Sequence, residues 1–477
     1  MGINRLWPLL EIAAEKDQTL AQLAVKEGFE LRPKWGVYRL GVDASIWIEQ
    51  CSRTYQARFV RSGRSPELST LFKKLANLLA VCVQPIFVFD GRQRPAIKRG
   101  KHVIYSDNWM VDDFKTLVEA FGFCHHTAPG EAEAELAHMN ELGIIDGVLT
   151  DDSDIFVFGA RTVIRNNTYK DNKEPLHIYR LSAIQNHNDI GLDRPALVLV
   201  ALLSGGDYDS GIPGCGVIIA RRVALYGLGD SLWHAARAMS LDDLGLFLAG
   251  WRRDLQQCFR EDPLGHLGGR YPALADGITK SFPHMDALRY YTQPVTTDFD
   301  PGYQISLPRF PKVHDLVRFC ELEDLFSARV GIVAKFKELL WPGLVLRELL
   351  EQAFAVANGL PIMPSSGLLK IDVRTVGNAA HAAKLRVANG TLEDIIERSL
   401  LGLRDEGLRR YFVPETGVHW RSLEVPSAIL RSARPNHGKA VEAAASNPFL
   451  HLPDFETLLA ATEVEFVRGS SSGCKTG

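Results

Sequence analysis

The sequence has no run of about 18 apolar residues, which excludes a membrane-spanning helix. Its first residues, MGINRLWPLLEIAAEK, lack the apolar stretch of a secretory signal. Gly2 stands where a myristoylated glycine would, but position 6 is Leu rather than Ser or Thr, so lipidation is not expected. C-x-x-C pairs are missing as well. The seven cysteines (Cys51, Cys82, Cys124, Cys215, Cys258, Cys320 and Cys474) are odd in number and scattered. They read as reduced thiols inside a cell, with neither a disulfide framework nor a zinc site. Charge of one sign is not in excess either: 54 Lys and Arg face 57 Asp and Glu, a formal net charge of −3. A polycation that holds nucleic acid by bulk charge is thereby excluded, and any such binding must come from local patches. No Ser/His/Asp or Cys/His arrangement stands out, and His125 and His126 lack a second metal-ligand partner. No internal repeat is visible.

What remains is an ordinary globular composition, 46% hydrophobic and 23% charged, in a chain of 477 residues. That length affords two to four domains and a large core. Through residue 165 short apolar strands alternate with amphipathic helices, which predicts an α/β domain with a largely parallel sheet. YRLGVD (Tyr38 to Asp43), PIFVFDG (Pro85 to Gly91), FCHH (Phe123 to His126) and GVLT (Gly147 to Thr150) are the strands. Helices are expected in 5–28, from Ala44 to Phe59, Glu67 to Val83, Asp112 to Phe121 and Arg194 to Leu203, then over much of 229–260 and 314–357. GLPIMPSS marks a linker over 358–366. Beyond it 367–435 is β-rich with a short closing helix, SAILRSA, and 436–477 is a tail without pattern.

Carboxylates collect at element ends: Asp43, Asp90, Glu131, Glu133, Asp152, Asp154 and Asp207. In a parallel α/β sheet the carboxyl ends of the strands line one crevice, so the residues just past the strands can meet there. An isolated Asp after a strand is most often a turn residue or a helix cap; the repetition is what that explanation covers poorly. Residues two apart in an extended segment face the same way, which sends Asp152 and Asp154 together and Asp151 elsewhere. Glu131 and Glu133 can both reach the crevice only if the helix begins between them, as Pro129 and Gly130 allow; Glu135 is then a bystander. Like charges gathered this way need cations, and oxygen-only ligands favour hard ions such as Mg2+ or Mn2+. Two such ions suit in-line phosphodiester cleavage.

Arg92, Arg94, Lys98, Arg99 and Lys101 follow the second carboxylate without one acid among them. Alone they are a solvated loop; beside a metal cluster they become a phosphate-gathering element, with Lys98 or Arg99 on the scissile phosphate. GIPGCGVIIARRVAL (Gly211 to Leu225) is a glycine-rich turn opening a helix. The backbone amides around Gly214 and Gly216 can hold a phosphate there, with Arg221 and Arg222 farther along.

These residues resemble the flap endonuclease and XPG family of structure-selective nucleases. The resemblance rests on six blocks in the family's order over roughly 1–226: MGINRLWPLL, VDASIW, FVFDG, APGEAEAELA, TDDSDIFVFG and LLSGGDYDSGIPGCGVIIARRVA, with weaker similarity to about 357. It implies a PIN-like nuclease core over 1–357, divided into an N-terminal region 1–105, an internal region 109–207 and a helix–two-turn–helix at about 208–240. The family's metal-binding carboxylates fall on the same seven positions, and its phosphate-directed lysine on Lys98. Gly2 joins the DNA-contacting set. The glycine turn corresponds to an element that holds K+ through backbone carbonyls, here at Gly211, Ile212 and Cys215, with Gly211 where relatives often carry serine.

Only residues 91 to 130 separate the second and third carboxylate motifs, too few for the long helical arch of the flap endonucleases. VDASIWIEQ and FKELLWPGLVLRELL resemble the Holliday-junction resolvase branch, which carries a chromodomain after its core; 367–435 is the corresponding chromodomain-like region. The expectation is therefore a Mg2+-dependent endonuclease with two ions per site, Mn2+ substituting. It would nick four-way junctions symmetrically, leaving 5′-phosphate and 3′-hydroxyl ends. It would be a monomer when free and a homodimer on branched DNA, with no membrane partner. The resemblance also implies a nuclear protein, cytoplasmic for part of the cell cycle. A 5′-flap nuclease and a non-catalytic junction-binding module are the alternatives.

Overall fold

The computed structural model describes residues 2–32, 36–56, 65–98, 100–102, 108–165, 174–326, 328–360, 371–375, 382–388, 390–401 and 420–434. The chain divides into two compact units, one made mainly of Met1–Ala24, Tyr38–Leu78 and Val83–Pro308, the other mainly of Arg309–Gly477. Among the described residues no helix is long and apolar enough to cross a membrane.

The first unit is built on a six-stranded sheet. Its strands are β1 (Tyr38–Asp43), β2 (Val83–Phe89), β5 (Cys124–Thr127), β6 (Gly147–Leu149), β7 (Thr162–Arg165) and β8 (His177–Arg180), in the order β5-β2-β1-β6-β7-β8. All neighbours are parallel except β7 and β8. Two short strands, β3 (Ile97–Lys98) and β4 (Lys101–His102), form a hairpin outside the sheet. The strand β2 reads VQPIFVF and is buried at every position, as a central parallel strand covered on both faces must be.

Strand order decides where the site lies. From β1 the chain steps to β2 and then β5 on one side, and returns to place β6 on the other side of β1. Such a reversal opens a crevice at the carboxyl ends of the strands. The last residue of β1 is Asp43, the first past β2 is Asp90, and Asp151 and Asp152 follow β6 after Thr150. Three non-adjacent stretches thus deliver carboxylates to one rim.

The expected helices are present, with ends set by local chemistry. Helix Arg194–Ser204 starts at Asp193, whose side chain accepts from Ala196 N, with Pro195 in its first turn. Its residues from Ala196 to Leu203 are all buried. Segment 229–260 is two helices, Leu228–Ala238 and Leu241–Glu261, because Ser240 caps the second through Asp243 N. In 262–312, helices Pro272–Asp276 and Met285–Thr292 are followed by Gln293–Pro308, which has no regular secondary structure.

The second unit holds helices Val313–Leu322, Ala328–Lys335 and Trp341–Ala357 and a three-stranded antiparallel sheet of β9 (Ile371–Thr375), β10 (Ala382–Ala388) and β11 (Trp420–Pro426), with β10 central. A closing helix, Ser427–Ala433, packs against Trp341–Ala357, and Arg434 Nε donates to Gln352 Oε1 at 3.3 Å. The compact unit that contains the β-rich region also takes in Val25–Val37, Leu79–Cys82 and the helices after Arg309. Most of the expected linker and all of the tail 436–477 lie outside the described residues.

Candidate metal and nucleic-acid site

Asp43 is buried, and its Oδ1 accepts from Ser45 N at 2.8 Å and Ile46 N at 3.2 Å, so it caps helix Ala44–Gln56. Ser45 Oγ donates to Asp90 Oδ2 at 2.9 Å, and Ala132 N donates to Asp90 Oδ1 at 2.9 Å. Asp90 thereby ties the starts of two helices to the end of β2. Arg94 pairs with the same carboxylate at 3.1 Å.

Helix Ala132–Glu141 begins between the two glutamates: Glu131 is its extended N-cap residue, at φ −87° and ψ 140°, and Glu133 lies in its first turn. This break in conformation lets both side chains reach the rim. There the Lys98 ammonium lies 3.1 Å from Glu131 Oε1, 3.8 Å from Glu133 Oε1 and 2.8 Å from Asp207 Oδ2. The Tyr208 hydroxyl donates to Glu131 Oε2.

Asp152 and Asp154 come together by a different route from the strand alternation expected. The segment is a bend running into helix Asp154–Val157, and Asp154 N donates to Asp152 Oδ1 at 3.1 Å. Ile3 N donates to Asp154 Oδ1 at 2.9 Å and the Tyr291 hydroxyl to Asp154 Oδ2 at 3.4 Å. Gly2 lies against this pair at φ +81°: a Cβ there would meet Asp152 Oδ1 at 2.3 Å and Asp154 Oδ1 at 2.5 Å. Only glycine fits. Asp151 turns away and pairs with Arg165 Nε at 3.3 Å.

Burial, then the neighbouring Asp90, pushes the Asp43 carboxyl up to about 7. Glu133 and Asp154 are also held well above the ordinary carboxylate range, by burial first and then by Asp152. Burial also raises Asp152. It works against the Lys98 charge, yet Glu133, Glu131 and Asp207 hold that ammonium well above its ordinary range. Among the described residues, no three His, Cys, Asp or Glu side chains converge closely enough to hold a metal ion as they stand. Lys98 supplies cationic charge among three of the carboxylates. Even so, the set fits a hard cation. It is all oxygen, its charged forms are disfavoured without added positive charge, and buried Glu133 Oε2 has no hydrogen-bond partner among the described residues.

The basic stretch is not a loop throughout. Lys98 and Lys101 are paired residues of the β3–β4 hairpin, with Gly100 at φ +68° in its turn, which directs Lys98 back to the rim. Arg92 is exposed, and Arg99 lies outside the described residues. In the glycine turn, Gly211 and Gly214 have φ of +71° and +87°, and Gly216 precedes helix Val217–Ala224. A Cβ on Gly211 would meet Gly205 N at 2.3 Å; Ile212 and Cys215 are buried, and Cys215 N donates to Ile212 O at 2.9 Å. The two arginines are each engaged by a backbone carbonyl. Arg221 Nε donates to Ile190 O at 2.8 Å and Arg222 Nη1 to Leu267 O at 2.9 Å, bracing neighbouring loops.

Sequence reasoning missed Tyr208, Tyr291, Ile3 and Ser45. Tyr208 directly follows Asp207, a signal that could have been used. Tyr291 is far along the chain and had none.

Residues 1–108 match the XPG N-terminal domain and 122–207 the XPG I-region. Flap endonuclease GEN homolog 1 of Homo sapiens is 32% identical over 252 residues, 49% of this chain and 26% of that protein. Flap endonuclease GEN-like 1 of Arabidopsis thaliana is 31% identical over 293 residues, 53% of this chain and 46% of its own length. The chain therefore spans about a quarter to a half of these curated relatives. Among solved structures, the Holliday junction-resolving enzyme GEN1 in complex with product DNA and Mg2+ aligns with a TM-score of 0.67 at 26% identity, covering 93% of this chain and all of that one. The eukaryotic junction-resolving enzyme GEN-1 binding potassium aligns with a TM-score of 0.68 at 28% identity, covering 94% and 100%. The chain thus carries the XPG N-terminal domain and the XPG I-region in order, and both contribute carboxylates to the rim.

Proposed function

We propose that the protein is a structure-selective DNA endonuclease that resolves four-way junctions by paired symmetrical nicks, leaving 5′-phosphate and 3′-hydroxyl ends. One observation carries this: the β2-β1-β6 order gathers Asp43, Asp90, Asp152 and Asp154 at a single rim with Glu131, Glu133, Asp207 and a basic residue, Lys98. The related enzymes with junction-resolving activity in their names support the substrate class.

Asp43, Asp90, Glu131, Glu133, Asp152, Asp154 and Asp207 would hold two Mg2+ ions, or Mn2+, which when bound activate a water and stabilise the leaving oxygen. The remaining work belongs to the chain. Asp43 and Asp90 are fixed by backbone amides, and Asp90 also by Ser45 and Arg94, so both carboxylates are held at the rim. Lys98 is partly exposed and offers its charge to an incoming phosphate. Tyr208 orients Glu131, while Gly2 and Ile3 close the side of the rim formed by Asp154. Backbone amides near Gly214 and Gly216 hold duplex phosphate, with K+ at the Gly211, Ile212 and Cys215 carbonyls. Two copies pair on a junction, one for each nick, and the setting is nuclear.

The test is cleavage of a labelled immobile four-way junction beside a 5′ flap in Mg2+. Faster, paired cutting of the junction supports the proposal. Preference for the flap, with a junction never cut twice, moves the assignment to a 5′-flap nuclease. Junction binding without metal-dependent cutting by the wild type leaves a binding module. Cutting unchanged in both Asp43→Asn and Glu133→Gln would exclude the metal mechanism.

A further inference from the structure

The last stretch of the first unit passes over the carboxylate rim from outside the metal-binding motifs. Tyr291, near the end of helix Met285–Thr292, puts its hydroxyl 3.4 Å from Asp154 Oδ2. The chain then runs without regular structure, and Val295 O packs against Gly130, where an added Cβ would stand 2.7 Å away. Two residues on, Thr297 N donates to Glu135 Oε2 at 2.9 Å, and Thr297 Oγ1 lies 3.2 Å from His126 Nε2. His126 Nε2 in turn lies 2.7 Å from Glu135 Oε1. Phe299 packs on the His126 and His138 rings, with centroids 5.7 and 6.1 Å away.

Glu135 is fully buried, and both of its oxygens are engaged by this knot. A buried carboxylate is costly unless hydrogen-bonded, so its partners hold it firmly. It also stands one turn into the helix whose start delivers Glu131 and Glu133, on a face that does not meet the rim. Fixing Glu135 fixes the rotation of that helix, and Val295 caps the Pro129–Gly130 turn before it. One segment, Tyr291 to Thr297, therefore touches both halves of the rim, the Asp154 side and the Glu131/Glu133 side.

We infer that this segment is a positioning strap for the metal-binding carboxylates, with Glu135, His126, Thr297 and Tyr291 as positioning residues. It holds mutually repelling groups at a spacing they would not keep by themselves. This rests on the endonuclease reading only for its kinetic arm; metal affinity reports it independently.

The experiment uses the full chain and three variants: Glu135→Ala, Glu135→Gln and Tyr291→Phe. Mn2+ binding is measured by calorimetry without DNA, junction affinity in Ca2+, and cleavage against Mg2+ concentration. Loss of an orienting partner of a metal ligand weakens metal binding roughly tenfold. That loss is expected for Glu135→Ala and Tyr291→Phe, with partial recovery in Glu135→Gln. The half-saturating Mg2+ rises in parallel and kcat falls, while junction affinity stays within about twofold. If Glu135→Ala fails to fold, Tyr291→Phe and Glu135→Gln carry the test. Unchanged Mn2+ affinity and Mg2+ requirement in the folded variants would overturn the strap. Should the wild type cut no branched DNA while the variants still lose Mn2+ affinity, the endonuclease reading fails and the strap stands.

Discussion

Lys98 Nζ lies 2.8 Å from Asp207 Oδ2, placing a cation from the β3–β4 hairpin inside the carboxylate rim. Two jobs follow for one side chain: neutralising the rim in the absence of metal and meeting phosphate when substrate arrives. Lys98→Ala should lower cleavage by about 10²–10³-fold, the usual effect of losing a charge-stabilising donor. It should also destabilise the metal-free protein by on the order of 1–3 kcal/mol, as carboxylates lose a partner. Thermal melts in EDTA and in Mg2+ check this: Mg2+ should restore most of the lost stability.

Glu133→Gln should behave oppositely in EDTA. Removing one of several repelling, buried acids should raise the melting temperature of the metal-free protein by a few degrees, at roughly 2–4 °C per kcal/mol. It should also shrink the gain that Mg2+ produces and abolish cutting. A fall in the metal-free melting temperature would show that Glu133 is held by bonds rather than strained by neighbours.

Gly2→Ala is the sharpest steric test. Its Cβ would overlap both Asp152 and Asp154, at a backbone φ of +81° that disfavours any side chain. Cleavage should drop at least about tenfold, with circular dichroism and Stokes radius unchanged. Retained activity would mean that this start of the chain moves aside at little cost.

Lys74 offers a pH signature away from the rim. Burial lowers its pKa to about 8; Nζ donates to Gln50 Oε1 at 2.7 Å and lies 4.2 Å over the Trp47 ring. Its unfolded value is about 10.4, so between about pH 8 and 10 the unfolded chain holds more of this proton. Stability from this group therefore rises with pH across that window, by at most about 1.4 kcal/mol per unit. Urea unfolding at pH 7.5 and 9.5 should show the rise in wild type and its loss in Lys74→Met.

Arg222 separates bracing from DNA contact. Because its guanidinium holds Leu267 O, Arg222→Ala should cost about 1 kcal/mol of stability. It should leave the salt dependence of junction binding nearly unchanged. A phosphate ligand would instead flatten the log–log salt slope by about 0.9, which binding titrations from 50 to 200 mM salt resolve.

The alternation of short strands and helices, the carboxylates at their ends and the glycine-rich turn were all legible in residue order. Each is a local property of a few neighbouring side chains. Glu131 and Glu133 show how far local chemistry reaches: Pro129 and Gly130 pointed to a helix starting between them, and it starts at Ala132. Asp152 and Asp154 show where it stops. Their convergence was expected from an extended segment, yet a bend and a helix start produce it. Arg221 and Arg222 show the same limit, since nothing local indicates that the Ile190 and Leu267 carbonyls will face them.

Pro129 to Asp154 displays the same division in a single stretch. From residue order alone, Glu131, Glu133, Asp152 and Asp154 read as candidate metal ligands, with Glu135 and Asp151 set aside by their facing. Glu135 is nonetheless fully buried, tied to His126 and to Thr297. Lys98 stands among Glu131, Glu133 and Asp207. Those contacts join residues far apart in the chain, and buried charge is tolerable only where folding brings it a partner. Which carboxylates are candidate ligands is a matter of side-chain type and spacing; what holds them in place is settled by tertiary packing.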